Sequence, residues 1–217
     1  MKKPISILIA DDHPIFRNGL ANIIGSQPEF TVVGEAPEGD TALTLIETLK
    51  PDVALLDIEM PGKSGLEVAK MIQDAGSSTK IVILTMYADE QIFNEAMDLG
   101  VSGYILKENA AIEVLNSLLA VSQGQYYISP TISGYLLNRS KKQQKLLSTF
   151  PQLELLTPTE LRILKLIAGN KSSKEIANDL CISYKTVENH RANIADKLNI
   201  HGNNALLRFA LQHKQLF

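Results

Sequence analysis

The sequence has no tryptophan and one cysteine, Cys181, among its 217 residues. A lone cysteine excludes an intramolecular disulfide and any all-cysteine metal site, and the simplest expectation for it is a buried thiol in a reducing compartment. No apolar run approaches the roughly 20 residues that a membrane helix needs. The N-terminal "MKKPISILIADD" reaches a double acid too soon for a signal peptide. These absences lead us to expect a cytoplasmic protein. Internal repeats, low-complexity tracts and a Gly-rich phosphate loop are also missing.

What is present is enough for two domains. The length exceeds one modest domain, and a hydrophobic fraction of 45% is ordinary for globular chains. The net charge of -3 hides a division. Residues 1–125 carry eight Lys and Arg against eighteen Asp and Glu, whereas residues 126–217 carry thirteen against six. An acidic half joined to a basic half suggests different partners, with the basic half suited to a polyanion.

Strand and helix patterns alternate through the first half. "ISILIA" (5–10), "TVVGEA" (31–36), "DVALLDI" (52–58), "KIVILTM" (80–86) and "GYILK" (103–107) are short, β-branched and almost continuously apolar, as strands covered on both faces are. Helical stretches fall near 14–25, 39–49, 65–75, 89–99 and 110–123; in the second, Ala42, Leu45, Ile46 and Leu49 form one apolar stripe. Five strands alternating with five helices predict an α/β doubly wound parallel sheet over residues 1–123. Residues 124–155, polar and punctuated around "RSKKQQK", read as a linker with short helical turns. From 156 to 217 a small all-α domain is expected. Thr157, Pro158 and Glu160 form a capping box, Ser172 and Glu175 another, and four helices fit at 158–169, 173–180, 184–198 and 203–213.

The stretch "VALLDIEMPG" (53–62) ends a buried strand on the carboxylate of Asp57 and then breaks at Pro61. A carboxylate is costly to desolvate, so its place is the rim of the sheet. Asp11 and Asp12 follow the first strand, Thr85 lies at the end of the fourth and Lys107 ends the fifth, which brings all of them to the carboxyl edge where doubly wound sheets bind ligands. Clustered carboxylates repel unless a cation sits among them, and hard oxygen donors select Mg²⁺ over zinc. Asp57 can then attack a phosphoryl group, becoming an aspartyl phosphate, with Lys107 holding the phosphoryl oxygens. His13, beside Pro14 at a helix start, is assigned a local structural role.

"ADDHPIFRNGL", "LLDIEMPGKSGLEV", "ILTMY" and "GYILKENA" together resemble the receiver domain of bacterial two-component response regulators, over most of residues 5–123. The resemblance implies a flavodoxin-like fold with Asp57 as phosphoacceptor for a sensor histidine kinase. It implies Asp12 and Asp57 as direct Mg²⁺ ligands, Asp11 bound through water, and Glu59 contributing its backbone carbonyl. Thr85 and Lys107 would contact phosphate, and Thr85 and Tyr104 match the family's switch pair, in which the hydroxyl moves to phosphate and the ring swings inward. Glu108 stands where many receivers carry proline.

In the basic half, "SSKEIANDLCISYKTVENHRANIADKLNI" (172–200) has the pattern of a helix-turn-helix. Ile176, Ala177 and Leu180 face inward from its first helix, and Val187, Ile194 and Leu198 from its second, which Ser183 caps. On the outer face Lys185, Glu188, Asn189 and Ala192 reach base edges, while Lys171, Lys174, Tyr184, Thr186, Arg191 and Lys197 suit phosphates. His190 fits packing between helices as well as a phosphate contact. Residues 156–213 resemble the LuxR-type output domain, and the whole chain is similar to the NarL/FixJ class of response regulators. That resemblance implies Tyr184 to Lys197 as recognition helix on double-stranded DNA, and a last helix near Asn203–His213 that pairs two copies as a homodimer. Glu188 is acidic where members often carry a base, so the base preference does not transfer.

Three functions remain distinguishable at this point. A phosphorylation-switched transcription factor, not an enzyme, loses only its own phosphate. A phosphatase using the same aspartyl intermediate would turn over an external substrate. A DNA-binding module with a redundant acid cluster would regulate unchanged with Asp57→Asn.

Overall fold

The computed structural model describes residues 3–202 and 204–214, and the chain divides into two compact units, Met1–Leu136 and Leu137–Phe217. In the first unit, strands β1 (Ile5–Ala10), β2 (Phe30–Ala36), β3 (Val53–Asp57), β4 (Lys80–Thr85) and β5 (Gly103–Leu106) alternate with helices α1 (Pro14–Gly25), α2 (Gly39–Leu49), α3 (Gly65–Asp74), α4 (Glu90–Asp98) and α5 (Ala110–Ser122). All pairings are parallel, in the order β2-β1-β3-β4-β5-β6, with β6 a short strand at Tyr127–Ile128.

The near-continuous apolar strands follow from coverage on both faces. Alternate residues of each strand enter opposite layers. Leu8, Ala54, Leu56, Ile81 and Ile83 pack with Ala42, Ile46, Val68, Ile72 and Phe93. Ile7, Ile9, Val53, Leu55, Val82 and Leu84 pack with Leu20, Ile24, Val114 and Leu118. The strand order reverses between β1 and β3, where Ala10 pairs with Leu56. The residues that follow these partners, Asp11 and Asp57, are therefore neighbours at the crevice opened by that reversal.

Two findings differ from expectation. The sheet has six strands rather than five, and the stretch 124–155 is more ordered than a linker. Within it Tyr127 and Ile128 pair with Gly103 and Tyr104, and helix α6 runs over Ser133–Thr149. Strand β6 consists of two residues and exists only because β5 offers it an edge, so no periodicity could announce it. Helix α6 is rich in Leu, Lys and Gln, good helix formers that lack a clear apolar stripe here. The division between the units falls inside this helix.

The second unit contains α7 (Pro158–Ala168), α8 (Ser173–Asp179), α9 (Tyr184–Lys197) and α10 (Ala205–Gln212). Both expected capping boxes form, and the Ser183 side chain accepts the Thr186 N–H at the start of α9. Ile163, Leu164, Ile167, Ile176, Val187, Ile194, Leu206 and Ala210 make the core. The last helix was expected to begin near Asn203, which lies outside the described residues. Cys181 is exposed, not buried: it occupies the tight turn between α8 and α9 with φ +52°, and a one-residue reversal there turns its side chain out to solvent. Among the described residues, no helix is long and apolar enough to cross a membrane.

Candidate functional site: an acid cluster at the sheet rim and a helix-turn-helix

Asp11 is fully buried just beyond β1. One of its oxygens accepts the His13 N–H at 2.9 Å, closing the turn that starts α1. The other lies 2.8 Å from the Lys107 ammonium, which also donates to Asp57 at 2.7 Å. Lys107 follows β5 directly, is itself buried, and sits 5.0 Å from the centre of the Phe16 ring. Asp12 is partly exposed and one of its oxygens has no hydrogen-bond donor; the His13 imidazole lies 2.6 Å from it. Donor atoms of Asp11, Asp12, His13 and Asp57 all fall within 4.8 Å of one another. His13, expected to be only a structural residue, thus borders the cluster.

The electrostatics of the site are set by burial. Desolvation pushes the Asp57 carboxyl up to about 6; the Lys107 ammonium and the Glu59 backbone N–H oppose this, and the Asp11 charge adds to it. Burial pulls the Lys107 ammonium down, but its bonds to Asp11 and Asp57 outweigh that and leave it above its usual value. Three clustered carboxylates beside one lysine ammonium, which reaches only Asp11 and Asp57, are under-compensated. With their hard oxygen donors and no cysteine, they fit a divalent metal ion.

Thr85, at the end of β4, is buried, and its hydroxyl accepts the Tyr87 N–H at 3.1 Å. Tyr104 is wholly buried with its ring 5.3 Å from Phe93, edge to face. Its hydroxyl interacts with Thr85 but makes no well-formed hydrogen bond, and burial pushes its ionisation well above the usual range. The Tyr104 ring therefore points inward. Glu59 is exposed beside the rim, and its carboxylate accepts from the Tyr87 hydroxyl at 3.3 Å.

Several residues escaped the sequence reading. The Arg17 guanidinium donates to the Asp11 carbonyl at 2.5 Å and lies 3.4 Å from Glu35, so it holds the turn that carries both acids. A cation in the first turn of a helix is electrostatically misplaced, and that was the available signal. The buried Glu113 accepts from Ser129, whose hydroxyl in turn accepts the Leu106 N–H at 3.2 Å, tying β6 to the strand that leads into Lys107.

In the second unit, α9 exposes Tyr184, Lys185, Asn189 and Ala192, and α8 exposes Lys174. Lys171 pairs with Asp179 at 2.5 Å. Thr186 is half-buried with its hydroxyl 2.7 Å from Ser183, and Glu188 and Arg191 lie 3.8 Å apart on α9. Lys197 differs from expectation: its ammonium donates to the buried Glu160 at 2.7 Å, which commits it to joining α9 to α7. His190 is half-buried, with one ring nitrogen enclosed and unpartnered. Asn193, exposed one turn beyond Asn189, was not singled out by the sequence.

Comparison with known proteins is consistent with both halves. The family described as response regulator receiver domain matches residues 7–119, and the bacterial regulatory proteins of the luxR family match residues 154–210. The oxygen regulatory protein NreC of Staphylococcus aureus is 37% identical over 98% of this chain and 99% of its own length. Among solved structures, the RcsB response regulator of Salmonella typhimurium is similar with a TM-score of 0.60 and 27% identity, covering 97% of this chain and 100% of that one. A structure of the two-component response regulator RcsB with DNA is similar with a TM-score of 0.59 and 27% identity, over 97% and 98%. The alternating sheet, the acid cluster at its reversal point and the capped helix-turn-helix are thus those of a transcriptional regulator rather than an enzyme, and this chain belongs to the two-component response regulators of the NarL/FixJ class.

Proposed function

We propose that Asp57 accepts a phosphoryl group from a partner sensor histidine kinase and that this modification controls how the second unit engages double-stranded DNA. The observation that carries the proposal is the convergence of Asp11, Asp57 and Lys107 within hydrogen-bonding distance at the point where strand order reverses. A free Asp57 oxygen attacks phosphorus as the bond to the kinase histidine breaks, and that imidazole leaves with the electron pair. Lys107 stays beside the new acyl phosphate as a fixed positive charge, the Glu59 backbone N–H is a nearby donor, and Thr85, next to the Asp57 pairing partner Leu84, is assigned as a second. Asp11, Asp12, Asp57 and the Glu59 carbonyl would hold Mg²⁺, which when bound neutralises charge on the phosphoryl oxygens.

For DNA, the exposed residues Lys185, Asn189 and Ala192 of α9, with Glu188 beside them, form the base-reading face. Lys174, Tyr184, Thr186 and Arg191 lie around it for phosphates. RcsB is a relative solved with DNA, and the capped, basic helix-turn-helix of this chain supports the same use here. We assign the phosphorylated protein to a homodimer reading paired half-sites in the cytoplasm, where DNA and the reducing conditions suited to the exposed Cys181 coincide. The test is DNA affinity and oligomeric state with and without acetyl phosphate and Mg²⁺, for wild type and Asp57→Ala. Phosphorylation should tighten binding in wild type alone. Equal affinity and assembly state under all conditions would remove the switch.

A further inference from the structure

The connection between β4 and α4, residues 86–89, is held by four ties. The Tyr87 N–H donates to the Thr85 hydroxyl at 3.1 Å, the Tyr87 hydroxyl donates to Glu59 at 3.3 Å, and Asp89 caps α4 by accepting from Gln91 and Ile92. The remaining tie comes from 47 residues away, where the hydroxyl of Tyr135, in the first turn of α6, donates to the Ala88 carbonyl at 2.9 Å. The Tyr135 ring lies 5.8 Å from Phe93, which meets Tyr104 edge to face. Within residues 133–138, Tyr135 is the side chain that is not exposed, and Ile132 just before it is buried in the core.

We infer that Tyr135 is a latch that holds the first turn of α6 to the phosphorylation-sensitive loop and lets it go when Asp57 is phosphorylated. This rests on the reading of Asp57 as phosphoacceptor. Thr85 Oγ1 accepts the Tyr87 N–H through a lone pair; carrying that oxygen toward a phosphoryl oxygen, so that its O–H can donate there, takes it out of reach of the Tyr87 N–H. The loop is four residues long, so Ala88 cannot stay in place when Tyr87 moves. Its carbonyl then leaves Tyr135, whose hydroxyl has water as an equivalent partner at the half-exposed site. Ile132 remains buried and becomes the pivot. Because the division between the units falls within α6, loosening its first turn alters the restraint on the segment joining them.

The test is amide hydrogen exchange of the full chain with and without Mg²⁺ and beryllofluoride as the phosphoryl mimic. In wild type the mimic should slow exchange at residues 58–62 beside Asp57 and speed exchange of the amides of 137–142. The Tyr135→Phe variant keeps the ring and loses only the hydroxyl. It should show exchange of 137–142 raised about fivefold without the mimic, the change expected for loss of one hydrogen bond, and little further response. Thr85→Ala should bind the mimic without loosening α6. Slowed exchange at 58–62 with unchanged α6 in both wild type and Tyr135→Phe would overturn the latch and leave the phosphoacceptor intact. No response at 58–62 in wild type would overturn both.

Discussion

The ammonium of Lys107 lies 2.7 Å from the carboxylate of Asp57, and both groups are almost wholly buried. The same ammonium bonds Asp11, so one cation offsets two enclosed carboxylates. Its removal leaves uncompensated charge in a poorly solvated crevice. We therefore expect Lys107→Met to destabilise the metal-free protein by about 3 kcal/mol. Added Mg²⁺ would supply the missing charge, so it should stabilise the variant more than it stabilises wild type. Urea unfolding of both proteins, with EDTA and with Mg²⁺, checks this. An equal Mg²⁺ increment in the two would mean that the ion and the lysine do not address the same carboxylates.

The same burial gives a pH dependence with a definite sign. The folded-state Asp57 value of about 6 lies above its ordinary 3.8. In that interval the folded protein holds a proton that the unfolded chain releases. The group's contribution to stability is complete below the lower value and is lost as pH rises through the upper one. Asp57→Asn removes the titration, so in EDTA it should gain stability over wild type at pH near 7, on the order of 2 kcal/mol, and much less near pH 4. A stability difference that does not change with pH would show that Asp57 ionises as if in water.

The receiver fold was legible because its strands obey a simple rule. Val53 to Leu56 are apolar at every position, as a doubly covered sheet requires, β3 and β4 end on Asp57 and Thr85, and Asp11 and Lys107 directly follow β1 and β5. What stayed hidden depends on contacts between residues distant in sequence. Nothing local marks Tyr135 as a donor to Ala88, or Lys197 as the partner of Glu160. Cys181 was misjudged because residue type argued for burial, while the outcome was decided by the turn that needed a residue at positive φ.

Gly65 shows how tightly the loop after Asp57 is drawn. A Cβ at this position would overlap the carbonyl of Asp57, because the start of α3 crosses directly over the end of β3. Backbone rather than a flexible side chain is in the way, and the Ser64–Glu67 capping box fixes the helix start. Gly65→Ala should therefore cost roughly 2–3 kcal/mol and shift Asp57, lowering its phosphorylation rate by acetyl phosphate more than tenfold. Thermal unfolding and phosphorylation kinetics measure the two effects. Gly19→Ala in α1, where nothing lies within 4 Å of the new methyl, is the control: it should raise stability by about 0.5–1 kcal/mol and leave the phosphorylation rate unchanged.

In the second unit the residues proposed to contact DNA differ from those that hold the unit together. Lys174 is exposed, so Lys174→Ala should weaken binding to all sequences alike and reduce the salt slope of log affinity by about one. Asn189→Ala should keep the slope and lose about 1–3 kcal/mol against one base position only. Lys197 should behave like neither. Burial pushes the Glu160 carboxyl up, but its bonds to Lys197 and Thr157 outweigh this and hold it below the usual range. That stabilisation is present above the ordinary carboxylate value and fades as pH falls through the folded one. Lys197→Met leaves Glu160 buried with half its partners, so it should lower unfolding stability by about 2 kcal/mol at neutral pH, with the salt slope of DNA binding unchanged. A reduced slope with unchanged stability would instead make Lys197 a phosphate contact and require its ammonium to leave Glu160 on DNA.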